Sequence, residues 1–452
     1  MLISYFTRSP DHQITRFFYN SALTMITRRT FSKLSGFAAG AALIPSISEA
    51  QESKTATLPP SIAQLKSRKS EAKAITPEER QQRQERARQL MRENNLDAIL
   101  MIGGTSLVYF TNIHWWNSER LFAAVLPAKG NAFYVCPAFE EDRAREQIAT
   151  GPGGNNADVR TWQEDENPYR LVVAGLKDRG LGSGRLGIEE RTTFVFSDGV
   201  AKAAPQVNIS TATPVTAGCR MIKSPHEIEL MQLANQVTLQ AYEAVYKALQ
   251  PGMTQYDFSN LIDAAYGKLG FHGGASVNVG ESSALPHGSV KPQVIREGTI
   301  VLIDDGCTVE GYQSDISRTF VLGKPSDKMR KVFDIVHQAQ GAALKQAKPG
   351  AEAQSVDAAA RKVITDSGYG PDYKYFTHRL GHGIGMDGHE WPYLVRGDTI
   401  TLRPGMAFSD EPGIYIRGEF GVRLEDDMHI TENGAELFTP QSPSLEDPFG
   451  KA

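Results

Sequence analysis

Cysteine is scarce in this 452-residue chain, which has three: Cys136, Cys219 and Cys307. They stand far apart and form no Cys-x-x-Cys pair, so neither a zinc–thiolate site nor a disulfide framework is signalled. Burial of the thiols is the expectation. A surplus of one charge is also lacking, since 48 Lys and Arg stand against 52 Asp and Glu, for a net charge of −4. Without a basic stripe, no nucleic acid partner is indicated. No apolar run reaches the roughly 20 residues that a stable membrane span requires. What is present, 40% hydrophobic and 22% charged residues, is ordinary globular composition at a length that suggests two domains.

Residues 1–50 read as an export segment, outside the fold. Thr27-Arg28-Arg29-Thr30-Phe31-Ser32-Lys33 has the form of a twin-arginine signal. A weakly apolar run from Leu34 to Ile44 follows, and Ser48-Glu49-Ala50 then offers small residues where a signal peptidase reads them. A periplasmic or secreted location is expected. No cysteine follows the run, which disfavours a lipid anchor. Met25 stands just before the signature and is an alternative start. Residues 51–75, polar and rich in Lys and Ser, read as a flexible lead-in.

Residues 76–218 alternate in strand and helix character and are expected to form an α/β domain. Thr76-Pro77-Glu78-Glu79 is a capping box that opens a charged helix. Strand-like runs follow at Ala98–Ile102, Leu107–Thr111, Leu121–Leu126, Ala132–Cys136 and Leu186–Glu189. Residues 219–445 are expected to form a second domain, entered by the capping box Ser224-Pro225-His226-Glu227. It contains a repeat. Pro251-Gly252 and Pro349-Gly350, like Gly270-Phe271 and Gly368-Tyr369, are offset by 98 residues. A long helix precedes each unit and a hairpin follows it, near 299–322 and 406–431. Two similar halves, each a helix pair on antiparallel strands, are the expected arrangement.

The hairpins carry the chemistry. In the first, Ile300-Val301-Leu302-Ile303 runs into Asp304, and Gly311-Tyr312-Gln313-Ser314 into Asp315. Pairing about a turn at Val309-Glu310 sets the two carboxylates directly opposite each other. Like charges so opposed cost energy, and a buried pair needs a cation or a shared proton. In the second, pairing about Gly418 sets Glu411 opposite Glu425. Between the hairpins lie His378, His382 and His389, and the glycines beside His382 leave room for close approach. Four carboxylates balance two divalent ions, at the roughly 3.5–4 Å spacing of two-metal hydrolytic sites. Oxygen ligands with one imidazole and no thiolate suit manganese, cobalt or zinc. Singly, each residue has a bland use as a solvated hairpin charge or a core histidine. The set taken together argues for metal.

Five motifs occur in order: Ile303-Asp304-Asp305-Gly306, Gly311-Tyr312-Gln313-Ser314-Asp315-Ile316-Ser317-Arg318, Gly381-His382-Gly383-Ile384-Gly385, Glu411-Pro412-Gly413-Ile414-Tyr415 and Arg423-Leu424-Glu425-Asp426. With them, residues 224–440 resemble the pita-bread metallopeptidases, in the prolidase-like branch of Xaa-Pro dipeptidases and aminopeptidases P. The preceding domain resembles, more loosely, the creatinase-type N-terminal domain, whose fold is ribonuclease-H-like. The resemblance implies an α/β N-terminal domain followed by an α+β pita-bread catalytic domain with an internal pseudo-twofold repeat. It implies Asp304, Asp315, His382, Glu411 and Glu425 as metal ligands, with Asp315 and Glu425 bridging two ions, Asp304 serving one, and His382 and Glu411 the other. By the same resemblance His287, in Ala284-Leu285-Pro286-His287-Gly288, lies on the substrate side, and His389 contacts the scissile carbonyl. Arg423 is a site arginine, although an ion pair with Glu425 or Asp426 competes for it. His378 is expected behind the ligands. Asp410 departs from the usual apolar neighbour of Glu411, and its side chain is expected on the opposite face of the strand. Arg396 is a further candidate for holding a substrate carboxylate.

The activity implied is hydrolysis of the Xaa-Pro bond in small peptides, with Glu411 shuttling a proton to the leaving imide nitrogen and His389 stabilising the developing oxyanion. Proline lacks a backbone N–H and has a fixed φ, so a site built around its ring exploits rigidity that a general protease cannot. A homodimer is implied by the family. Two alternatives share the fold: metal-free hydrolysis of an amidine-like molecule, as in creatinase, and a non-catalytic peptide-binding module. The intact carboxylate set argues against both.

Overall fold

Alternating short apolar runs become a six-stranded sheet in the computed structural model, which describes residues 57–450. The export segment read from the sequence lies outside these residues. The strands are β1 (Ala98–Met101), β2 (Ala123–Pro127), β3 (Phe133–Pro137), β4 (Asp158–Trp162), β5 (Arg185–Ile188) and β6 (Asn208–Thr211), in the spatial order β4-β3-β2-β1-β5-β6. β1, β2 and β3 are buried throughout, which is why they read as unbroken apolar runs rather than alternating ones. The helix Pro77–Glu93 starts at the expected capping box, with the Glu79 N–H donating to Thr76 Oγ1 at 3.2 Å.

Two expectations are corrected here. Leu107–Thr111 is not a strand but part of the helix Thr105–Thr111. Leu107 and Phe110, three apart, are fully buried, and an apolar run this short is read equally well as strand or buried helix turn. Residues 57–75 are not a loose lead-in. The helix Pro60–Ala63 inserts fully buried Ile62 into the core that holds Val245 and Phe258, and Ser61 Oγ donates to the Ala244 carbonyl at 2.7 Å. Composition conveyed the polarity of this segment and missed its apolar anchors, Ile62 and Ile75.

The second part of the chain shows the repeat. The helix pair Pro225–Tyr246 and Gln255–Leu269 is matched by Asp327–Gln346 and Ala353–Asp366. Gly252 and Gly350 both turn the chain at positive φ, 91° and 87°. The first half adds β7 (His272–Gly273), β8 (Ser276–Val279), β9 (Ile300–Asp304), β10 (Cys307–Val309), β11 (Tyr312–Gln313) and β12 (Arg318–Val321). The second adds β13 (Gly381–Gly383), β14 (Glu390–Leu394), β15 (Ala407–Asp410), β16 (Gly413–Ile416), β17 (Phe420–Arg423), β18 (Asp426–Ile430) and β19 (Ala435–Leu437). Each helix pair packs on its own strands around its own core, with Tyr242, Phe258 and Phe320 in one and Val336, Phe376 and Phe408 in the other. The three cysteines are buried and unpaired, as expected.

Register decides which side chains meet. In the first hairpin Arg318 pairs with Ile303 and Thr308 with Gln313. The turn is therefore Glu310-Gly311, one residue later than expected, with φ of 50° and 87°. A two-residue hairpin turn with both central residues at positive φ favours glycine in the second place, and Gly311 supplies it. The expected face-to-face pairing of Asp304 with Asp315 is thereby corrected: the register carries Ser317 opposite Asp304, and Asp315 reaches the site from the irregular stretch between β11 and β12. In the second hairpin Asp410 pairs with Asp426 and Gly413 with Arg423, a single register that sets Glu411 across from Glu425 as expected.

Arg318, fully buried, ties the two hairpins together. Its guanidinium donates to the Glu425 carbonyl at 2.9 Å, the Pro440 carbonyl at 2.9 Å and Asp426 Oδ1 at 2.6 Å. Arg318→Met would strand a buried carboxylate, and urea unfolding is expected to show a loss of about 3–5 kcal/mol.

Candidate metal centre

Each residue expected to bind metal sits where a strand ends or is interrupted. Asp304 closes β9, Asp315 lies between β11 and β12, His382 stands at the register shift between His382 and Gly383 in β13, and Glu411 and Glu425 lie where the long ribbon passes from β15 and β18 into β16 and β17. Their donor atoms fall into overlapping groups, each within 4.8 Å: Asp304 with Asp315 and Glu425, His382 with Glu411 and Glu425, and Asp315 with His382 and His389. His382 Nε2 lies 3.4 Å from Glu411 Oε1 and 3.7 Å from Asp315 Oδ2. His382 Nδ1 is 3.2 Å from the Gly383 carbonyl, a contact that uses the Nδ1 proton and turns the Nε2 lone pair toward the carboxylates. The flanking glycines are required by close packing. A Cβ on Gly381 would stand 2.0 Å from the Ser409 carbonyl oxygen.

Period-two alternation sorts the acidic run at 425–427. Glu425 and Asp427 turn to the site, where Asp427 Oδ2 accepts the Asp315 N–H at 2.9 Å, and Asp426 turns away to Arg318. Across the ribbon Glu411 faces the site and Asp410 the opposite side, beside Asp426, in line with the expectation for Asp410. Neither carboxylate oxygen of Asp410 has a hydrogen-bond partner among the described residues, and burial together with Asp426 keeps its pKa well above the usual range.

Arg423 lies inside the cluster. Its guanidinium pairs with Asp304 and donates to Ser317 Oγ at 2.8 Å, Tyr415 Oη at 3.1 Å and the Pro286 carbonyl at 3.0 Å. Its Nε is 3.7 Å from Glu425. The competing pairing with Asp426 is not formed, because Arg318 takes that carboxylate. Ser317 Oγ lies 2.6 Å from Asp304 and 2.7 Å from Glu425, so one hydroxyl proton is shared between two carboxylates. His378 Nε2 meets Tyr415 Oη at 2.7 Å and its Nδ1 lies 3.8 Å from Glu411, behind the cluster as expected. His287 is exposed on the loop that Arg423, itself paired with Asp304, tethers through the Pro286 carbonyl. His389 stacks on His382 with ring centroids 3.7 Å apart. Arg396 pairs with Asp372 at 2.7 Å on the surface and is not among the residues gathered here.

Burial and mutual repulsion push Asp315 and Glu425 well above the usual carboxylate range, and burial pushes Glu411 to about 8. For Asp304, burial opposes ionisation, but Arg423 and the Ser317 hydroxyl outweigh it and hold the pKa below normal. Burial keeps His382 neutral, with a pKa of about 3. Four carboxylates with one arginine among them, plus a neutral imidazole aimed inward, fit divalent cations that accept oxygen and imidazole ligands.

Ser317, Tyr415 and Asp427 were not singled out from the sequence. The first two lie inside the quoted motifs but carry no chemical signal of their own. Asp427 could have been found by applying strand alternation to the acidic run. A cleft of about 380 Å³ opens on this cluster, lined by Asp305, Thr308, Gln313, Asp315, Gly388 and His389.

The model of metallopeptidase family M24 matches residues 229–432, and that of the creatinase/prolidase N-terminal domain matches residues 83–222. The Xaa-Pro dipeptidase of Lactobacillus helveticus is 32% identical over 80% of this chain and 97% of its own length. Among solved structures, dipeptidase PepE from Mycobacterium ulcerans superposes with a TM-score of 0.77 at 32% identity, covering 83% of this chain and 99% of that one. Prolidase from Thermococcus sibiricus gives 0.73 at 29% identity, with 81% and 98% covered. With its creatinase-type N-terminal domain, pita-bread catalytic fold and inward-facing acidic cluster, this chain belongs to metallopeptidase family M24.

Proposed function

We propose that the chain hydrolyses the bond between a first residue and a following proline in small peptides, with two divalent ions held by Asp304, Asp315, His382, Glu411 and Glu425. The observation that carries this reading is the overlap of the donor groups: Asp315, His382 and Glu425 each belong to two of them, so the donors converge on adjoining positions, as a site for two ions would require. When bound, the ions would supply Lewis acidity and an activated water. Glu411, a carboxylate inside the cluster, would take up the proton released by water and pass it to the leaving nitrogen. His389 stands at the mouth of the cleft beside His382, placed to donate to an oxyanion. Arg423 and Tyr415 fix the inner wall. The likeness to Xaa-Pro dipeptidase supports dipeptides as substrates. The exposed position of His287 on a loop near Asp304 supports its place on the substrate side.

The mixed oxygen and imidazole donor set supports manganese, cobalt or zinc. Export by the twin-arginine route into the periplasm or medium is also proposed, on the order of Arg28-Arg29, apolar run and Ser48-Glu49-Ala50. That route carries folded proteins, so the ions would be loaded before export. A homodimer is proposed on the family resemblance.

Asp315→Ala and Glu425→Ala are each expected to abolish turnover and metal binding together, read by hydrolysis of an Xaa-Pro dipeptide and by metal analysis. Full activity in either variant would sink the ligand assignment. Xaa-Pro is expected to be cleaved in preference to Xaa-Ala and to Xaa-Pro-Yaa under added manganese, cobalt or zinc, and equal rates on Xaa-Ala would remove the proline reading. In the chelated protein, a carboxyl whose folded pKa is raised binds its proton more tightly folded than unfolded. Its contribution is therefore lost as pH rises toward the folded value. Above about pH 7.5 an ordinary histidine is largely neutral in both states, so the carboxyls dominate there. The metal-free melting temperature should fall as pH rises from about 7.5 to about 9, and manganese should restore it.

A further inference from the structure

The loop that presents His389, residues 384–389 between β13 and β14, is gripped by charged groups from outside the metallopeptidase unit. Asp387, two residues before His389, accepts from Thr105 Oγ1 at 2.6 Å, lies 3.2 Å from Arg191 and pairs with Arg220. Glu390, directly after His389, pairs with the same Arg220 guanidinium and with Lys223 Nζ at 2.7 Å. Arg191 also donates to the carbonyl of His389 itself, at 3.2 Å. Thr105, Arg191 and Arg220 all lie within the segment that matches the creatinase-type domain. Lys223 lies just past it, in the link to the helix Pro225–Tyr246.

The inner pair, Arg220 with Glu390, is not a surface ion pair of negligible worth, whereas Arg191, on the outer side, is half exposed. Arg220 and Glu390 are 5% and 3% exposed, so their attraction is little screened by water or salt. Gly385 leaves the space that Glu390 occupies, since a Cβ there would stand 2.5 Å from its Oε1. The loop is thus anchored on both sides of His389 while the His389 ring remains exposed over the cleft, stacked on His382.

We propose that Thr105, Arg191 and Arg220 are positioning residues for His389, through which the N-terminal domain sets the geometry of the active site within one chain. The proposal rests on the reading that His389 faces the reacting carbonyl. A displacement of one ångström at such a group costs on the order of a hundredfold in rate, so a rigid clamp has a direct effect on turnover.

Removing Arg220 outright would take away the guanidinium that buried Glu390 and half-buried Asp387 share and endanger folding, so the clamp is better tested from its outer side. The combined variant Thr105→Val with Arg191→Met is expected to lower kcat on an Xaa-Pro dipeptide by about tenfold. KM should change by less than about twofold, with bound metal and melting temperature retained. In a His389→Ala background the same two substitutions should change kcat by less than about twofold, because positioning has no object there. Amide exchange in the metal-free variant should quicken at 384–390 and stay unchanged in β15 and β18. An equal loss in both backgrounds, no loss with His389 present, or unchanged exchange would overturn the proposal. If His389→Ala alone leaves kcat intact, the role of His389 fails instead, and the exchange measurement still reports whether the clamp exists.

Discussion

Mutual repulsion among carboxylates brought to one half-buried place is the constraint around which this molecule is arranged. Asp304, Asp315, Glu411 and Glu425 cannot all be ionised there without cations. Glu411 at about 8, and Asp315 and Glu425 well above their usual range, record the resulting strain. Arg423 and Ser317 relieve part of it by holding Asp304 charged, and divalent ions would relieve the rest. The apo chain thus carries an electrostatic debt that metal binding converts into folding stability.

The repeat explains how such a cluster can be assembled. Each half contributes one hairpin with two acids, and neither hairpin alone makes the site. Arg318 locks the hairpins to each other through the Glu425 carbonyl and the Asp426 carboxylate, with a further bond to the Pro440 carbonyl beyond them, so the relative position of the two acid pairs is set by packing and not by the acids themselves. The same alternation that turns Glu425 inward turns Asp426 outward to Arg318. One strand thereby serves the site on one face and the scaffold on the other.

The first domain contributes more than bulk. Its sheet ends near Thr105 and Arg191, and its last helix ends at Arg220, the three places that grip the loop bearing His389. Buried charges at a domain junction are costly unless fully paired. Here the two acids flank His389, and under the proposed reading of that histidine the pairing has a use beyond cohesion.

The residues alone were enough to indicate the helix pairs, the capping boxes at Thr76 and Ser224, the repeat, the two hairpins and the acids and histidine that converge, because these depend on periodicity and on residue chemistry that local sequence carries. The resemblance added roles that periodicity could not supply. Tertiary structure alone decided the turn at Glu310-Gly311 and hence that Ser317, not Asp315, stands opposite Asp304, since a hairpin's register depends on which residues accept positive φ. It alone turned Leu107–Thr111 into a helix, anchored Ile62, gave Asp426 to Arg318 and joined Arg220 to Asp387 and Glu390. The last three are contacts between residues distant in the chain, chosen by packing and charge pairing that no local pattern encodes.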